Sequence, residues 1–246
     1  MFHPEGPTFF ELARQALSST ERGYDLLAPK FERTPFKTPD ALLESAAQHL
    51  ARSGRFGRAL DLCCGTGAAT RMLRPLCDRQ VVGIDFSHGM LSEARRLSAD
   101  SAGTAELRFL QANVLDPNLD PTLDGSFDLV TCFGALGHFV DRQQPLLVQT
   151  IARLLAPGGR FVFATADRPS LGSPRLWLAL GFNAAMAVRN TLWRPPFVMY
   201  YLSFLLPRAR QLLEAQGFHL EVHRGICDQH PWAHLVVATS PGSTTS

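Results

Sequence analysis

The chain has 246 residues, of which 46% are hydrophobic, so it is long enough for one α/β domain with a full core. Its 24 basic and 22 acidic side chains give a net charge of +2, which is too small to favour a nucleic-acid partner. Five scattered cysteines without a C-x-x-C pair argue against a zinc ribbon or a disulfide framework. The first residues lack a basic start and an apolar run, so we expect no export signal and a cytoplasmic location.

The N-terminal part of the chain is predicted to form a helical cap. Apolar residues recur at helical spacing over Phe9–Leu17 and over Leu42–Leu50. We expect Thr38 or Asp40 to cap the second of these helices, because short polar side chains accept hydrogen bonds from the first free backbone amides. The segment Gly23–Pro29 is predicted to interrupt the helical pattern.

The central part of the chain alternates between short apolar strands and helices. The strand candidates are Ala59–Cys63, Val81–Asp85, Leu107–Gln111, Phe127–Phe133 and Arg160–Thr165. The helix candidates between them are Ala68–Arg74, Met90–Ala99 and Pro145–Leu155. This alternation predicts an α/β fold with a doubly wound, mostly parallel sheet and helices on both faces. Sheets of this kind bind ligands beyond the carboxyl ends of their strands.

Residues 168–206 form an apolar, proline-rich insertion after the fifth strand. Asn183, Arg189 and Arg194 interrupt its apolar runs, so it is not expected to be a stable membrane span. Three interpretations stay open: additional core helix, an apolar lid over the pocket of a substrate, and contact with a membrane surface.

The chain is predicted to end in a helix over Arg208–Gln216 and two strands over Phe218–Val222 and His234–Ala238. A tail rich in serine and threonine follows and is expected to be disordered. The predicted division of the chain is a helical cap (1–57), a ligand-binding domain that includes the insertion (58–240), and the tail (241–246).

Four histidines near the C-terminus invite a test for a metal site. His219, His223, His230 and His234 contain two four-residue spacings, which on a helix would bring two rings to one face. However, residues 218–222 alternate as a strand does, and a proline follows His230. We therefore predict no metal site.

The most informative stretch is the apolar run that ends in the glycine pair Gly65 and Gly67. A strand that feeds a glycine-rich turn into a helix lets the backbone approach a nucleotide, and an acid after the next strand can accept hydrogen bonds from ribose. Asp85 lies 20 residues beyond Gly65, which suits that role. Thr70, however, stands where a pyrophosphate site has its third glycine, so a dinucleotide and a nucleoside without a pyrophosphate both stay open.

Five motifs, in order along the chain, resemble those of the class I S-adenosylmethionine-dependent methyltransferases of small molecules. These motifs are Leu60–Gly67, Val81–Leu91, Phe109–Val114, Phe127–Phe139 and Leu154–Phe163. The chain is similar to the quinone-biosynthesis and type 11 groups of that family. The resemblance implies a seven-stranded sheet with an antiparallel C-terminal strand and S-adenosyl-L-methionine as cofactor. It further implies methyl transfer to a small apolar or amphipathic acceptor, such as a lipid, a quinone or a secondary metabolite.

The resemblance also implies which residues contact the methionine and ribose parts of the cofactor. Asp61, Gly65 and Gly67 would shape the loop around the methionine half. Asp85 would accept hydrogen bonds from both ribose hydroxyls, and Phe86 would lie beside the adenine.

Other motif positions are implied to complete the cofactor site. Asn113, where many relatives have aspartate, and Val114 would bind the adenine edge. Phe133 and Gly134 would present backbone carbonyls to the ammonium group, and Tyr24 would belong to a segment that folds over the cofactor.

His138 is the candidate general base, since it follows the fourth strand near the expected reaction centre. Its alternative role is to cap the loop before Asp141, and Gly137 stands where relatives often have a first histidine of a His-His pair. Two other functions stay open, namely an S-adenosylmethionine-binding protein without activity and an NAD-dependent oxidoreductase. The sequence gives no indication of the oligomeric state.

Overall fold

A single mixed sheet of seven strands organises the molecule, which the computed structural model describes over residues 5–242. The strands are β1 (Phe56–Leu62), β2 (Cys77–Asp85), β3 (Glu106–Gln111), β4 (Phe127–Cys132), β5 (Leu155–Thr165), β6 (His219–His223) and β7 (His234–Thr239). Their order is β3-β2-β1-β4-β5-β7-β6. The pairs among β1 to β5 are parallel, whereas β7 is antiparallel to both β5 and β6. The predicted fold class is confirmed.

Eight α-helices accompany the sheet within the described residues. They are α1 (Phe9–Ala16), α2 (Thr20–Leu27), α3 (Asp40–Ala51), α4 (Ala68–Leu73), α5 (His88–Ser98), α6 (Gln144–Leu154), α7 (Pro174–Leu192) and α8 (Leu206–Glu214). The helices predicted from periodicity in the cap and the central domain are confirmed to within two residues.

Both faces of the sheet are buried, which explains why its central strands are almost continuously apolar. On one face, Leu60 and Phe161 pack in the same cluster as Ile151 of α6. On the other face, Ala59 and Val162 share a cluster with side chains of α3 and α4. Since successive strand residues point to opposite faces, one apolar strand serves both cores.

The expectation that Gly23–Pro29 interrupts the helical pattern is wrong. Residues Thr20–Leu27 form α2, whose first turn is capped by the Ser19 hydroxyl, which accepts from the Arg22 amide at 3.1 Å. Gly23 lies within this helix, and a Cβ at this position would come within 2.8 Å of the Phe197 ring. A tertiary contact, rather than a local break, therefore requires this glycine.

The capping prediction for α3 is also wrong. Pro39 precedes the helix, and neither Thr38 nor Asp40 makes a capping hydrogen bond. Asp40 instead accepts from Lys37 at 2.8 and 2.9 Å, while the Thr38 hydroxyl faces Gly134. Thr38 thus faces the loop after β4 rather than the amides of α3.

The sheet begins at Phe56, two residues before the predicted start of the ligand-binding domain.

Of the tail predicted over 241–246, residues 243–246 lie outside the described residues. The Pro241 carbonyl accepts a hydrogen bond from the Gly158 amide at 3.3 Å. Over residues 5–242, no helix is both long and apolar enough to cross a membrane.

Candidate functional site

The turn between β1 and α4 brings backbone to the carboxyl edge of the sheet. Cys63, Gly65 and Gly67 all have positive φ, at 53°, 53° and 78°. Gly67 immediately precedes α4, and a Cβ there would approach the Ala94 side chain to 3.1 Å. The left-handed conformation is natural for glycine but strained for Cys63, as is common where a loop is shaped for a ligand.

Asp85 ends β2 beside this turn. Its two carboxylate oxygens accept hydrogen bonds from the Gly65 amide and from the Ser87 amide, each at 2.9 Å. Burial raises the pKa of Asp85, and the two amide hydrogen bonds partly oppose that rise. A carboxylate has about four acceptor positions, so two stay free for hydroxyl donors.

Asp61 is fully buried in β1 and holds the turn together. Its carboxylate accepts from the Thr70 hydroxyl at 2.7 Å and from the Thr131 hydroxyl at 3.0 Å. Burial raises the pKa of Asp61 to about 6, although both hydroxyls lower it. Thr70, which occupies the third-glycine position, thereby joins α4 to β1. A threonine at that position is thus part of the site and not a defect in a pyrophosphate loop.

The ends of β2 and β3 supply one wall of the cavity. Phe86, Asn113 and Val114 all line it. The Asn113 side-chain oxygen accepts from the Leu115 amide at 3.0 Å, which fixes the orientation of the side chain. That oxygen keeps a second acceptor position, and the side-chain amide keeps its donors.

The end of β4 supplies the facing wall through Phe133 and Gly134. Gly134 has φ of 79°, and a Cβ there would lie 2.6 Å from the Thr38 hydroxyl. Glycine is therefore required both by backbone conformation and by the close approach of the N-terminal segment.

The N-terminal segment closes over the edge of the sheet. Asp25 of α2 accepts from the Ser87 hydroxyl at 2.6 Å and from the Gly89 amide at 2.9 Å, so α2 is anchored at the start of α5. Glu32 accepts from the Thr66 hydroxyl, and Lys37 lies 3.5 Å from Glu32. The sequence reasoning did not identify Glu32 or Lys37 as cavity residues, because no motif or spacing relates them to the glycine turn.

Tyr24 and His138 form a hydrogen-bonded pair across the cavity wall. The Tyr24 hydroxyl lies 2.8 Å from His138 Nε2, and His138 Nδ1 contacts the Val198 carbonyl. Because a carbonyl only accepts, Nδ1 carries the proton and Nε2 accepts from Tyr24. Burial lowers the pKa of His138 and raises that of Tyr24, so both are neutral near pH 7. The alternative role of His138 as a cap before Asp141 is wrong, since both ring nitrogens are engaged elsewhere.

These residues surround one cavity of about 360 Å³, within the range of roughly 300–1,000 Å³ typical of small-molecule sites. All the predicted site residues line it except Gly67, which supports the turn from behind. Among the described residues of the insertion, Val198 reaches the cavity, whereas α7 contributes no lining residue. Within residues 5–242, no group of three or more histidine, cysteine or acidic side chains could hold a metal ion.

Comparisons with known proteins agree with this geometry. A family model described as a methyltransferase domain matches residues 59–159. A demethylmenaquinone methyltransferase of Thermus thermophilus is 36% identical over 169 residues, which are 65% of this chain and 74% of that protein. The chain belongs to the class I S-adenosylmethionine-dependent methyltransferases. Its cofactor is S-adenosylmethionine, and the alternative of an NAD-dependent oxidoreductase is thereby excluded.

One further relative and one solved structure extend the comparison. An O-methyltransferase of Penicillium expansum is 34% identical over 48% of this chain, which spans 41% of that protein. The structure titled DhpI-SAH complex has a TM-score of 0.65 with 21% identity, covering 96% of this chain and all of that one, and shows the same fold.

The residues that line the cavity fit the cofactor of this methyltransferase family. The buried Asp85 carboxylate has free acceptor positions at the cavity, as a ribose with two hydroxyl donors requires. Asp61 is a buried acid without a cationic partner among its hydrogen bonds, and an ammonium group would supply one. The positive φ angles of the glycine turn allow backbone to approach the ligand without side-chain interference.

Proposed function

We propose that this methyltransferase transfers a methyl group to a small apolar or amphipathic acceptor, such as a lipid, a quinone or a secondary metabolite. The observation that carries the proposal is the mixed lining of the cavity. Polar groups at the strand ends, with Asp61 and Asp85 foremost, line it together with the apolar side chains of Phe31, Phe36 and Phe139. The demethylmenaquinone methyltransferase named above supports the same class of acceptor, since its name states a quinone substrate.

The cofactor contacts are proposed as the family resemblance implies them. Asp85 accepts from the ribose hydroxyls, while Phe86, Asn113 and Val114 hold the adenine. The backbone of Phe133 and Gly134 faces the ammonium group, together with the Asp61 carboxylate.

The chemistry requires alignment more than activation. When bound, S-adenosylmethionine supplies an electrophilic methyl group on a sulfonium. The cavity walls hold the acceptor atom in line with that methyl group, and such orientation contributes roughly 7–11 kcal/mol in well-placed systems. The aromatic side chains exclude water, which favours a displacement in which positive charge is neutralised.

For a hydroxyl acceptor, Tyr24 and His138 remove the proton. The acceptor hydroxyl donates to the Tyr24 oxygen as Tyr24 gives its own proton to His138 Nε2. His138 is neutral and has this lone pair available, because its Nδ1 proton is directed to the Val198 carbonyl. Tyr24 accordingly serves the acceptor in this proposal as well as covering the cofactor.

The test uses cofactor labelled in its methyl group and a panel of acceptors: a demethylated quinone, a phenol with an alkyl chain, and a water-soluble catechol. We expect label in the extractable, apolar products. At a cofactor concentration near the Kd of the wild type, the Asp85→Ala variant should transfer much less label. Transfer to the catechol alone would contradict the apolar-acceptor proposal. Cofactor binding without transfer to any compound in the panel or in cell extracts would indicate a binding protein without activity.

The insertion, residues 168–206, is proposed to belong to the acceptor side of the site only through its second half. Val198 lines the cavity, the Tyr200 amide donates to the Gly137 carbonyl at 2.8 Å, and Phe197 stacks on Tyr24. The first half of the insertion, α7, needs a different explanation.

A further inference from the structure

The helix α7 exposes its apolar side to solvent. Leu178, Val188 and Leu192 are 77%, 58% and 78% exposed, and the small residues Gly181 and Ala185 between them are exposed as well. The spacing of these five positions alternates between three and four residues, so they form one continuous stripe along the helix. We call them the α7 stripe. Along α7, which is described over its full length, Leu176 is the only buried side chain.

The side of α7 that faces the protein carries Leu176 and two hydrogen-bonded asparagines. Asn183 accepts from the Tyr201 amide at 2.8 Å and donates to the Tyr201 carbonyl at 2.7 Å. Asn190 makes the same pair of hydrogen bonds with the backbone of Phe197, at 2.9 and 3.0 Å. These four hydrogen bonds fix the rotation of the helix, because turning the stripe inward would break them all. A surface helix normally exposes polar residues, so the exposed apolar stripe is suited to a partner.

The segment that contains the stripe carries only positive charges. No aspartate or glutamate occurs between Asp167 and Glu214 in the sequence, whereas this stretch contains six arginines. Arg175 and Arg194 are exposed near the two ends of α7. A groove beside α7 is lined by Arg142, Arg168 and Arg208 together with one acid, Asp141.

The two ends of α7 also carry tryptophans. Trp177 in the first turn and Trp193 after the last are 63% and 52% exposed. An apolar stripe flanked by arginine and tryptophan is typical of helices that lie in the headgroup region of a bilayer.

We propose that α7 docks this protein on the surface of a membrane containing anionic lipid, with the α7 stripe buried among the acyl chains nearest the headgroups. Arginines at both ends then contact lipid phosphates, and the helix lies in the plane of the membrane. A second copy of the chain fits the stripe less well, since pairing two such helices brings arginines together without an acid to neutralise them. Docking through α7 is independent of which acceptor is methylated.

The experiment is co-sedimentation of the full chain with vesicles of phosphatidylcholine alone and of phosphatidylcholine mixed with phosphatidylglycerol. We expect binding to the anionic vesicles that weakens with salt. The double variant Leu178→Glu/Val188→Glu should lower the partition coefficient by about tenfold or more, because it puts two charges into the stripe. The matched control is Leu146→Glu/Trp232→Glu, which changes two exposed apolar residues outside α7 and should bind as the wild type does.

Outcomes against the proposal are distinct from loss of folding. Circular dichroism and cofactor affinity, which these exposed positions should leave unchanged, report the fold of each variant. Failure of the wild type to bind anionic vesicles would overturn the proposal, and so would equal binding by the two double variants. A dimer in sedimentation velocity that the stripe variant converts to a monomer, with no vesicle binding by either, would assign the stripe to a second copy instead.

Discussion

Gly137→Ala should detach the second half of the insertion from the site. A Cβ at Gly137 would lie 2.6 Å from the Tyr200 carbonyl oxygen, so one of the two segments must move. Movement breaks the Tyr200–Gly137 hydrogen bond and strains the contact between His138 and the Val198 carbonyl. If the segments do not move, the overpacking remains.

We expect Gly137→Ala to lower the free energy of unfolding by about 1–3 kcal/mol. If the segments move, two hydrogen bonds of roughly 0.5–1.5 kcal/mol each are lost. If they do not move, the overpacked contact costs about 1–3 kcal/mol. The two routes exclude each other, so the costs do not add. For a chain of this length, each kcal/mol lowers the Tm by roughly 2–4 °C. The KM for the acceptor should rise, whereas the Kd of the cofactor should not change, because the contacts of Asp85 and Asp61 do not involve the insertion.

Gly181→Ala is the matched control, since it makes the same chemical change where no atom lies within 4 Å and φ is ordinary. Alanine is favoured over glycine inside a helix by about 1 kcal/mol, so this variant should be equally stable or slightly more stable. Thermal unfolding of both variants measures the difference. Equal Tm values for the two variants, together with an unchanged acceptor KM for Gly137→Ala, would show that the close contact of Gly137 with Tyr200 does not position the insertion.

Three further predictions concern the cavity. Asp85→Ala should weaken cofactor binding in calorimetry by about 1.5–3 kcal/mol, or roughly 10- to 150-fold, while Asp100→Ala on the surface should not; equal affinities would remove the ribose assignment. Cofactor binding should weaken as pH falls through about 6, because protonation of Asp61 removes the negative charge that attracts the ammonium group of the cofactor. Asp61→Asn should abolish this pH dependence, and persistence of the dependence in that variant would reject Asp61 as its cause. With a hydroxyl acceptor, His138→Gln and Tyr24→Phe should each lower kcat by about 10²–10⁴-fold and leave the cofactor Kd unchanged. The acid limb of the wild-type pH profile should lie below pH 6.5, because burial lowers the pKa of His138. Full kcat in either variant would exclude the proposed proton transfer through Tyr24 and His138.

The strand-end residues could be predicted because their positions depend on local pattern. An apolar strand followed by Gly65, or by Asp85, identifies both the element and the edge where its last residue lies, and parallel strands bring those edges together. The same pattern identifies Thr70 as a departure from a pyrophosphate site. Its hydrogen bond to Asp61 could not be deduced, because spacing alone does not distinguish a threonine that replaces a packing glycine from one with a partner of its own.

Contacts between distant segments could not be predicted from the sequence. Tyr24 and His138 are 114 positions apart, and Val198 is 60 from His138, so no periodicity relates them. Gly23 suggested a break because a glycine in a helix is unfavourable on its own. The ring of Phe197, which belongs to the insertion, makes it necessary. For the same reason, composition alone does not assign the insertion to lid, core or membrane contact. The assignment depends on which side of α7 faces the protein, and the hydrogen bonds of Asn183 and Asn190 to a distant part of the insertion decide that.

Calorimetric titration of the full chain with S-adenosylmethionine and, separately, with NAD shows which cofactor the cavity at the strand ends holds. We expect one site for S-adenosylmethionine, weakened by Asp85→Ala because Asp85 accepts from the ribose, and no measurable binding of NAD. Binding of NAD alone would rule out an S-adenosylmethionine site in this cavity.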